Sequence, residues 1–311
     1  MNPPSTTPPA NPAPSSLGRT EKAPLITFGI PAYDRPALLM ETLASIAGQT
    51  RAVDYEVVVC DDGGRPETAA AVARFPADRF FHHPNPVPLG AVGNWNECLR
   101  RARGRWVMIL HEDDTLYPWY LDLVLPRLRE GVAAVCTQVV AGPVAPVLSA
   151  PPGTPAVRPY PPLYFIKSSM TPFPGVLFPR ELGRSLGGFD ERAGPLADYD
   201  FWYRLAGAGG IEVVRATGAF YRVTSEQWTA RAWPEMLRKT HLLRLRIAGR
   251  ELRSRAAGRW LARFFTYRTA VAYARRFPEK PASLARALRF RKILFSGLPS
   301  GWVWAGLKLF A

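Results

Sequence analysis

Carboxylates follow two apolar runs within the first 115 residues. Residues 57–60 are apolar and precede Asp61 and Asp62, and the apolar run 106–110 precedes the His-Glu-Asp-Asp stretch 111–114. Uninterrupted apolar runs of this length are typical of strands buried on both faces of a parallel sheet. Ligands of open α/β sheets bind beyond the carboxyl ends of the strands. Acids that converge there repel one another unless a cation shares the site. The pattern therefore predicts a divalent cation with a phosphate-bearing ligand.

The elements that must position these acids alternate along the chain. Alternating strand and helix patterns indicate βαβ units and a mostly parallel, doubly wound sheet. Beyond a Pro- and Gly-rich loop at 142–162, a helix is predicted over 196–207, with short strands at 211–215 and 219–223. The predicted strands of the first half are 25–30, 55–60, 79–82, 105–110 and 133–140, and the predicted helices are 35–47, 66–75, 93–103 and 119–129.

Composition divides the chain into three regions. Residues 1–23 are rich in Pro, Ser, Thr and Ala and lack an apolar stretch, so we predict a disordered tail and no signal peptide. Residues 24–230 form the predicted catalytic domain, and residues 231–311 a helical C-terminal region. Three widely spaced cysteines and four histidines show no paired metal spacing, which favours reduced thiols and a cytoplasmic setting.

The net charge of +15 is unevenly distributed. Residues 231–311 hold 19 Arg and Lys against three acids, a balance of +16, which leaves −1 for the rest of the chain. Aromatic residues are interleaved with these basic residues, a pattern typical of binding to an anionic membrane surface. The most apolar run, 293–307, is too short to span a bilayer. The alternative is a solvated basic face that packs on the catalytic domain; nucleic-acid binding would need a groove with base-stacking aromatics, and we expect no such partner.

Seven short segments occur in the order of a known family. The chain resembles the family 2 glycosyltransferases, and the resemblance implies the nucleotide-sugar-binding GT-A fold, a Rossmann-like α/β architecture, over roughly residues 24–225. The C-terminal region matches no pattern. Three positions depart from the family: His111 replaces the usual Asp, Ala197 replaces an acid, and no His follows Arg222 closely. The matching segments are 26–36, 43–50, 58–63, 89–96, 110–114, 187–190 and 197–205.

The resemblance implies a nucleotide site near the first two strands. Asp61 would accept a hydrogen bond from the base, typically uracil, and so reject a base that offers only acceptors there. Asp61 could instead be a turn residue before two glycines, and Arg35 could be the start of a helix. Gly90 could be an ordinary turn glycine. The donor-binding residues that the resemblance implies are Pro31, Tyr33, Arg35, Asp61, Gly90, Asn94 and Asp113.

Metal binding and catalysis are assigned to three aspartates. Asp113 and Asp114 are the predicted ligands of Mg²⁺ or Mn²⁺, because these ions favour carboxylate oxygens together with substrate phosphates. Either could instead cap the next helix, and His111 could contact the donor or serve the structure. The family's general base aligns with Asp198, which could otherwise be a helix cap. Asp200 is interpreted as a cap or scaffold acid.

The resemblance, together with the placement of these residues, implies a metal-dependent, inverting glycosyltransferase of polysaccharide biosynthesis. It would move a sugar from a nucleotide-diphosphate donor, UDP-sugar favoured, to a hydroxyl of a glycan or lipid-linked acceptor at the inner face of the membrane. Trp202 and Tyr203 would form an acceptor platform or part of the core. The alternative function is a non-catalytic module that binds a nucleotide sugar or a glycan.

Overall fold

The computed structural model describes residues 22–151, 153–170, 172–224 and 228–276. The predicted tail therefore lies outside the described residues except for its last two positions. The apolar run 293–307 lies outside them entirely.

A mixed sheet organises the described residues, in the spatial order β3-β2-β1-β4-β8-β6-β9-β5, with β7 paired to β9. β1, β2, β3 and β4 are mutually parallel, β8 is antiparallel to both β4 and β6, and β6 is parallel to β9. The predicted mostly parallel α/β sheet is confirmed. The strands are β1 Ile26–Ala32, β2 Tyr55–Asp61, β3 Phe80–Pro84, β4 Trp106–Ile109, β5 Thr115–Leu116, β6 Val132–Gly142, β7 Val157–Pro159, β8 Val176–Pro179 and β9 Gly210–Arg222.

Helices cover both faces of this sheet. α1 and α2 each begin with a proline, whose fixed φ suits the first helical position and whose missing N–H costs nothing there. Two buried apolar clusters, one on each face, give the doubly wound arrangement. The helices are α1 Pro36–Ala47, α2 Pro66–Val72, α3 Gly90–Arg101, α4 Tyr120–Val124, α5 Arg180–Ser185, α6 Ala197–Ala208, α7 Trp228–Glu251 and α8 Arg255–Arg276, with short 3₁₀ turns at Leu125–Arg127, Pro162–Ile166 and Glu191–Leu196.

Two predicted elements differ from the observed ones. The helix expected over 119–129 ends as α4 at Val124 and continues as a 3₁₀ turn, because Pro126 cannot donate the next α-helical hydrogen bond. The two short strands expected at 211–215 and 219–223 form the single strand β9. Register shifts in its pairing with β6 near Thr137 accommodate extra residues of β9, so the strand continues past the irregular segment.

The C-terminal helices α7 and α8 pack on the rest of the chain. Their apolar side chains belong to the same buried cluster as Phe165 of the 162–166 turn and Trp202 of α6. Arg246 of α7 forms an ion pair with Asp200 of α6. The predicted helical character of this region is thus confirmed for the described residues. The predicted domain boundary at residue 230 falls inside α7, a helix that shares a core with the rest of the chain.

Candidate active site

The acidic stretch 111–114 forms a loop between β4 and β5, at the carboxyl edge of the parallel strands. The hydroxyl of Thr42, buried on α1, lies 2.8 Å from the carbonyl oxygens of both Glu112 and Asp114. The backbone N–H of Tyr33, just past β1, donates to Glu112 Oε2 at 2.9 Å. The loop is therefore held by the elements that flank it in space rather than by its own short turn.

His111, Asp113 and Asp114 form one cluster of ligating atoms. One ligand atom from each lies within 4.8 Å of the others. Asp114 is fully buried, and its Oδ1 accepts the backbone N–H of Arg222 at 2.9 Å. Its Oδ2 and the Nε2 of His111 have no hydrogen-bond partner within the described part of the chain. Buried polar atoms are nearly always satisfied, so the orphaned Asp114 Oδ2, which lies 3.8 Å from His111 Nδ1, fits a bound cation.

The pKa values of the loop agree with this assignment. Burial raises the pKa of Asp114 well above its usual range, and the neighbouring Asp113 carboxylate adds to that rise. Burial lowers the pKa of His111 to about 4, so its imidazole is neutral at physiological pH and keeps a lone pair for a metal. Burial also raises the pKa of Glu112 to about 7. Desolvated carboxylates of this kind are stabilised when a cation joins them.

Two arginines bracket the cluster. Arg35 Nη1 donates to Asp113 Oδ2 at 2.5 Å, so one oxygen of that carboxylate already has a cationic neighbour. Arg222, the last residue of β9, donates from Nε to the Asp113 carbonyl at 3.0 Å and from Nη2 to Glu41 Oε2 on α1 at 2.5 Å. In the sequence, Arg222 was noticed only because its segment differs from the family pattern. Nothing there indicated that Arg222 holds the acidic loop.

Asp61 lies at the end of β2 and is completely buried. Its Oδ1 accepts the N–H groups of Gly63 and Gly64 at 2.9 and 3.1 Å, as a turn aspartate would. Its Oδ2 lies 3.0 Å from Nε2 of His82 on the adjacent strand β3. His82 was missed by sequence reasoning, because only the β2–β3 register brings the two residues together. The base-reading role of Asp61 stays a prediction.

The other residues expected on the donor side separate into two groups. Tyr33, with 59% of its surface exposed, and Arg35 lie beside the acidic loop and are accessible. Pro31 is buried within β1, and Asn94 is buried in α3. The Asn94 amide donates to the carbonyl oxygens of Cys60 at 2.9 Å and Ala32 at 3.4 Å, so it ties together the ends of β2 and β1.

Gly90 begins α3 with a φ of +73°, a conformation that favours glycine. Immediately before it, the backbone N–H of Leu89 donates to Asp62 Oδ1 at 3.1 Å. Asp62 also accepts the Asn85 amide at 2.6 Å. Gly90 therefore begins α3 directly after Leu89, which is hydrogen-bonded to the aspartate that follows β2.

Asp198 lies in the first turn of α6 and is partly exposed. Its Oδ1 accepts the backbone N–H of Tyr199 at 2.7 Å, and burial raises its pKa to about 6. Trp202, one turn later on the same helix face, contacts the Phe173 ring, which in turn stacks on His111 at 4.3 Å between centroids. Asp198 therefore lies on the helix face that packs towards the acidic loop.

The neighbours of Asp198 in the same helix serve the fold. Asp200 is buried between Arg204, at 2.7 Å, and Arg246, as expected for a scaffold acid. Trp202 and Tyr203 are 1% and 4% exposed, so both belong to the core and neither offers an acceptor platform.

Comparison with known proteins gives matches to the part of the chain that contains the acidic loop. The family model described as glycosyl transferase family 2 matches residues 27–177. A GalNAc(5)-diNAcBac-PP-undecaprenol beta-1,3-glucosyltransferase from Campylobacter jejuni is 30% identical over 116 residues, which are 36% of this chain and 37% of that protein. Alignments with this and two other curated relatives span 30–62% of those proteins' lengths.

Solved structures share the fold. S. aureus TarS 1–349 in complex with UDP-GlcNAc superposes with a TM-score of 0.61 at 16% identity, covering 78% of this chain and 72% of TarS 1–349. The mannosyltransferase PcManGT from Pyrobaculum calidifontis, in complex with GDP-Man and Mn²⁺, gives a TM-score of 0.53 at 18% identity, covering 93% and 85%. Both likenesses confirm the predicted glycosyltransferase-type α/β fold.

Proposed function

Because this chain belongs to glycosyl transferase family 2, as the match over residues 27–177 shows, we propose that it transfers a sugar from a nucleotide-diphosphate donor to a hydroxyl group. The observation that carries the proposal is the cluster of His111, Asp113 and Asp114 at the carboxyl edge of the sheet, with the Asp198 face of α6 packed towards it. A UDP-sugar is the favoured donor, since TarS, which shares the fold, is known in complex with UDP-GlcNAc. A lipid-linked glycan is the favoured acceptor, since the C. jejuni relative is named for one.

The cluster residues would hold Mg²⁺ or Mn²⁺, and the imidazole nitrogen of His111 favours Mn²⁺ of the two. A bound cation supplies charge stabilisation to a departing nucleoside diphosphate. The chain's own contribution is positional. Thr42 and Arg222 fix the backbone of the loop, and the Arg35 guanidinium adds positive charge beside Asp113.

Asp198 is the proposed general base of an inverting transfer. Its carboxylate accepts the proton of the acceptor hydroxyl while the bond from sugar to phosphate breaks on the opposite face of the sugar. A base works best when its pKa is near the working pH, and burial brings the pKa of Asp198 to about 6.

The test is binding and transfer with matched variants. We expect UDP and Mn²⁺ together to raise the unfolding temperature of the parent chain, because a ligand that binds only the folded state stabilises it. Asp113→Asn or Asp114→Asn should weaken Mn²⁺-dependent UDP binding while leaving the fold intact, since an Asn oxygen at position 114 can still accept the Arg222 N–H. The control is Asp78→Asn, an exposed carboxylate beside Arg79.

If both cluster variants bind UDP and Mn²⁺ like the parent, the proposed cation site is wrong. If the parent binds UDP-sugars yet releases no UDP with any glycan or lipid-linked acceptor, the non-catalytic binding module is the better function.

A further inference from the structure

A group of arginines is exposed where α7 ends and α8 begins. Arg253 lies in the link between the helices, and Arg255, Arg259 and Arg263 lie on α8; all four are exposed. None of them forms an ion pair within the residues that the structure describes. No acidic residue occurs from 252 to 276. Unlike Arg35, Arg204 and Arg222, which pair with acids, this group leaves its charge facing solvent.

The arrangement of these arginines on α8 is regular. Arg255, Arg259 and Arg263 are four residues apart, so they form a row along one side of the helix, about 6 Å from one to the next. Trp260 flanks this row with 39% of its surface exposed, and its ring stacks on Phe264, which is buried in the core. The opposite side of the helix packs into the protein through Leu261 and other apolar side chains. The row is therefore a fixed basic strip on a helix anchored to the catalytic core.

We propose that this basic strip, the row of Arg255, Arg259 and Arg263 with Arg253 and Trp260 beside it, docks the protein on an anionic lipid bilayer. Charge complementarity identifies the occupant, because an extended strip of unpaired cations with a partly exposed tryptophan matches a surface of anionic headgroups. Single-stranded nucleic acid would require a groove with several stacking aromatics, whereas the strip lies on the outer side of a helix. No helix among the described residues is long and apolar enough to cross a bilayer.

The proposal concerns a surface separate from the candidate active site. Docking would bring the enzyme to a lipid-linked acceptor, and in that respect it rests on the proposed function. The binding measurement itself uses neither donor nor acceptor, so its failure and the failure of the transfer reaction can be told apart.

The experiment is co-sedimentation of the full chain with vesicles. Vesicles of phosphatidylcholine with about one-third phosphatidylglycerol are compared with pure phosphatidylcholine, at low salt and at high salt. Each basic residue near an anionic surface contributes about a fivefold gain in binding, and salt screens the attraction. The triple variant R255Q/R259Q/R263Q should therefore bind the anionic vesicles on the order of 100-fold more weakly than the parent.

The matched control removes the same charge elsewhere. Arg51 and Arg74 are exposed in loops and Arg215 is exposed on β9, and R51Q/R74Q/R215Q should retain nearly all of the binding. Thermal unfolding of both triple variants, which change only exposed side chains, shows that each is folded.

Four results would overturn the proposal. The parent chain could fail to bind anionic vesicles at low salt, or the strip variant could bind as well as the parent. The control variant could lose as much binding as the strip variant, which would make net charge rather than the strip responsible. Tighter binding of the parent to single-stranded RNA than to anionic vesicles, lost in the strip variant, would assign the strip to nucleic acid instead.

Discussion

Replacing Asp198 with asparagine tests the chemistry most directly. With a pKa of about 6, this carboxylate is about nine-tenths ionised at pH 7 and about one-tenth ionised at pH 5, whereas an aspartate with the usual pKa stays about nine-tenths ionised at pH 5. If Asp198 is the base, turnover of the parent should fall about tenfold between pH 7 and pH 5. Asp198→Asn should lower turnover by about 10²-fold or more and remove this pH dependence, while donor binding is kept.

The same substitution should change stability in a pH-dependent way. Because burial raises the pKa in the folded state, the ionised carboxylate destabilises the fold above pH 6, and this penalty disappears below about pH 4, where the group is protonated in both states. A shift of about two pKa units corresponds to about 3 kcal/mol, which is an upper limit because the side chain is partly solvated. Asp198→Asn should therefore be more stable than the parent at pH 8 by up to this amount, and equal to it near pH 4.

The assays are UDP release at saturating donor from pH 5 to 8 and urea unfolding at pH 8 and pH 4. An asparagine oxygen can keep the hydrogen bond from the Tyr199 N–H, so the variant isolates the charge. Asp200→Asn is the contrasting variant: it removes a partner of Arg204 and Arg246, so it should reduce stability more than turnover. Normal transfer by Asp198→Asn, together with a folded but inactive Asp200→Asn, would refute the assignment of Asp198 as the base. If Asp198→Asn and the parent have the same free energy of unfolding at pH 8, the desolvation argument is refuted.

Two further substitutions separate positioning from folding. Arg222→Gln should weaken Mn²⁺ binding about 10- to 100-fold, as measured by electron paramagnetic resonance, because groups that orient metal ligands have effects of this size. Glu41→Gln removes only the outer anchor of Arg222 and should have little effect. Equal Mn²⁺ affinity of the parent and Arg222→Gln would exclude this role for Arg222. Asn94→Ala should lower the free energy of unfolding in urea by about 1–3 kcal/mol, because it leaves the buried carbonyl of Cys60 without its donor. An equal loss of Mn²⁺ affinity in Asn94→Ala would show that Asn94 belongs to the site rather than to the fold.

Local patterns were enough for the parts of this protein that depend on neighbouring residues. The apolar run 106–110 followed by acids correctly placed Asp113 and Asp114 at the end of a buried strand, and the spacing in 36–47 predicted the buried face of α1. A strand or helix is recognised by the period of its apolar residues, and the sequence order of such elements limits the sheet to few arrangements. The predicted sheet and the position of its acidic edge follow from these features.

The contacts that complete the candidate site depend on pairings across long stretches of sequence. Arg222 reaches Asp114 over 108 residues, and His82 meets Asp61 because β3 lies beside β2 in one particular register. No local signal marks such a partner, since a strand's own period says which face a side chain takes but not which strand lies next to it.

Burial was also decided by the tertiary structure. Trp202 and Tyr203 follow Asp198 in a motif that could have faced an acceptor, yet Trp202 packs among the rings of Phe173, Phe178 and Phe189. Tyr203 packs against Phe165 and donates a hydrogen bond to Glu251 of α7. The excess charge of the C-terminal region was visible in the sequence, but only the packing of α8 shows which arginines remain in solvent. Composition gives the number of charges on a segment, whereas the face that a helix buries depends on the surface it meets.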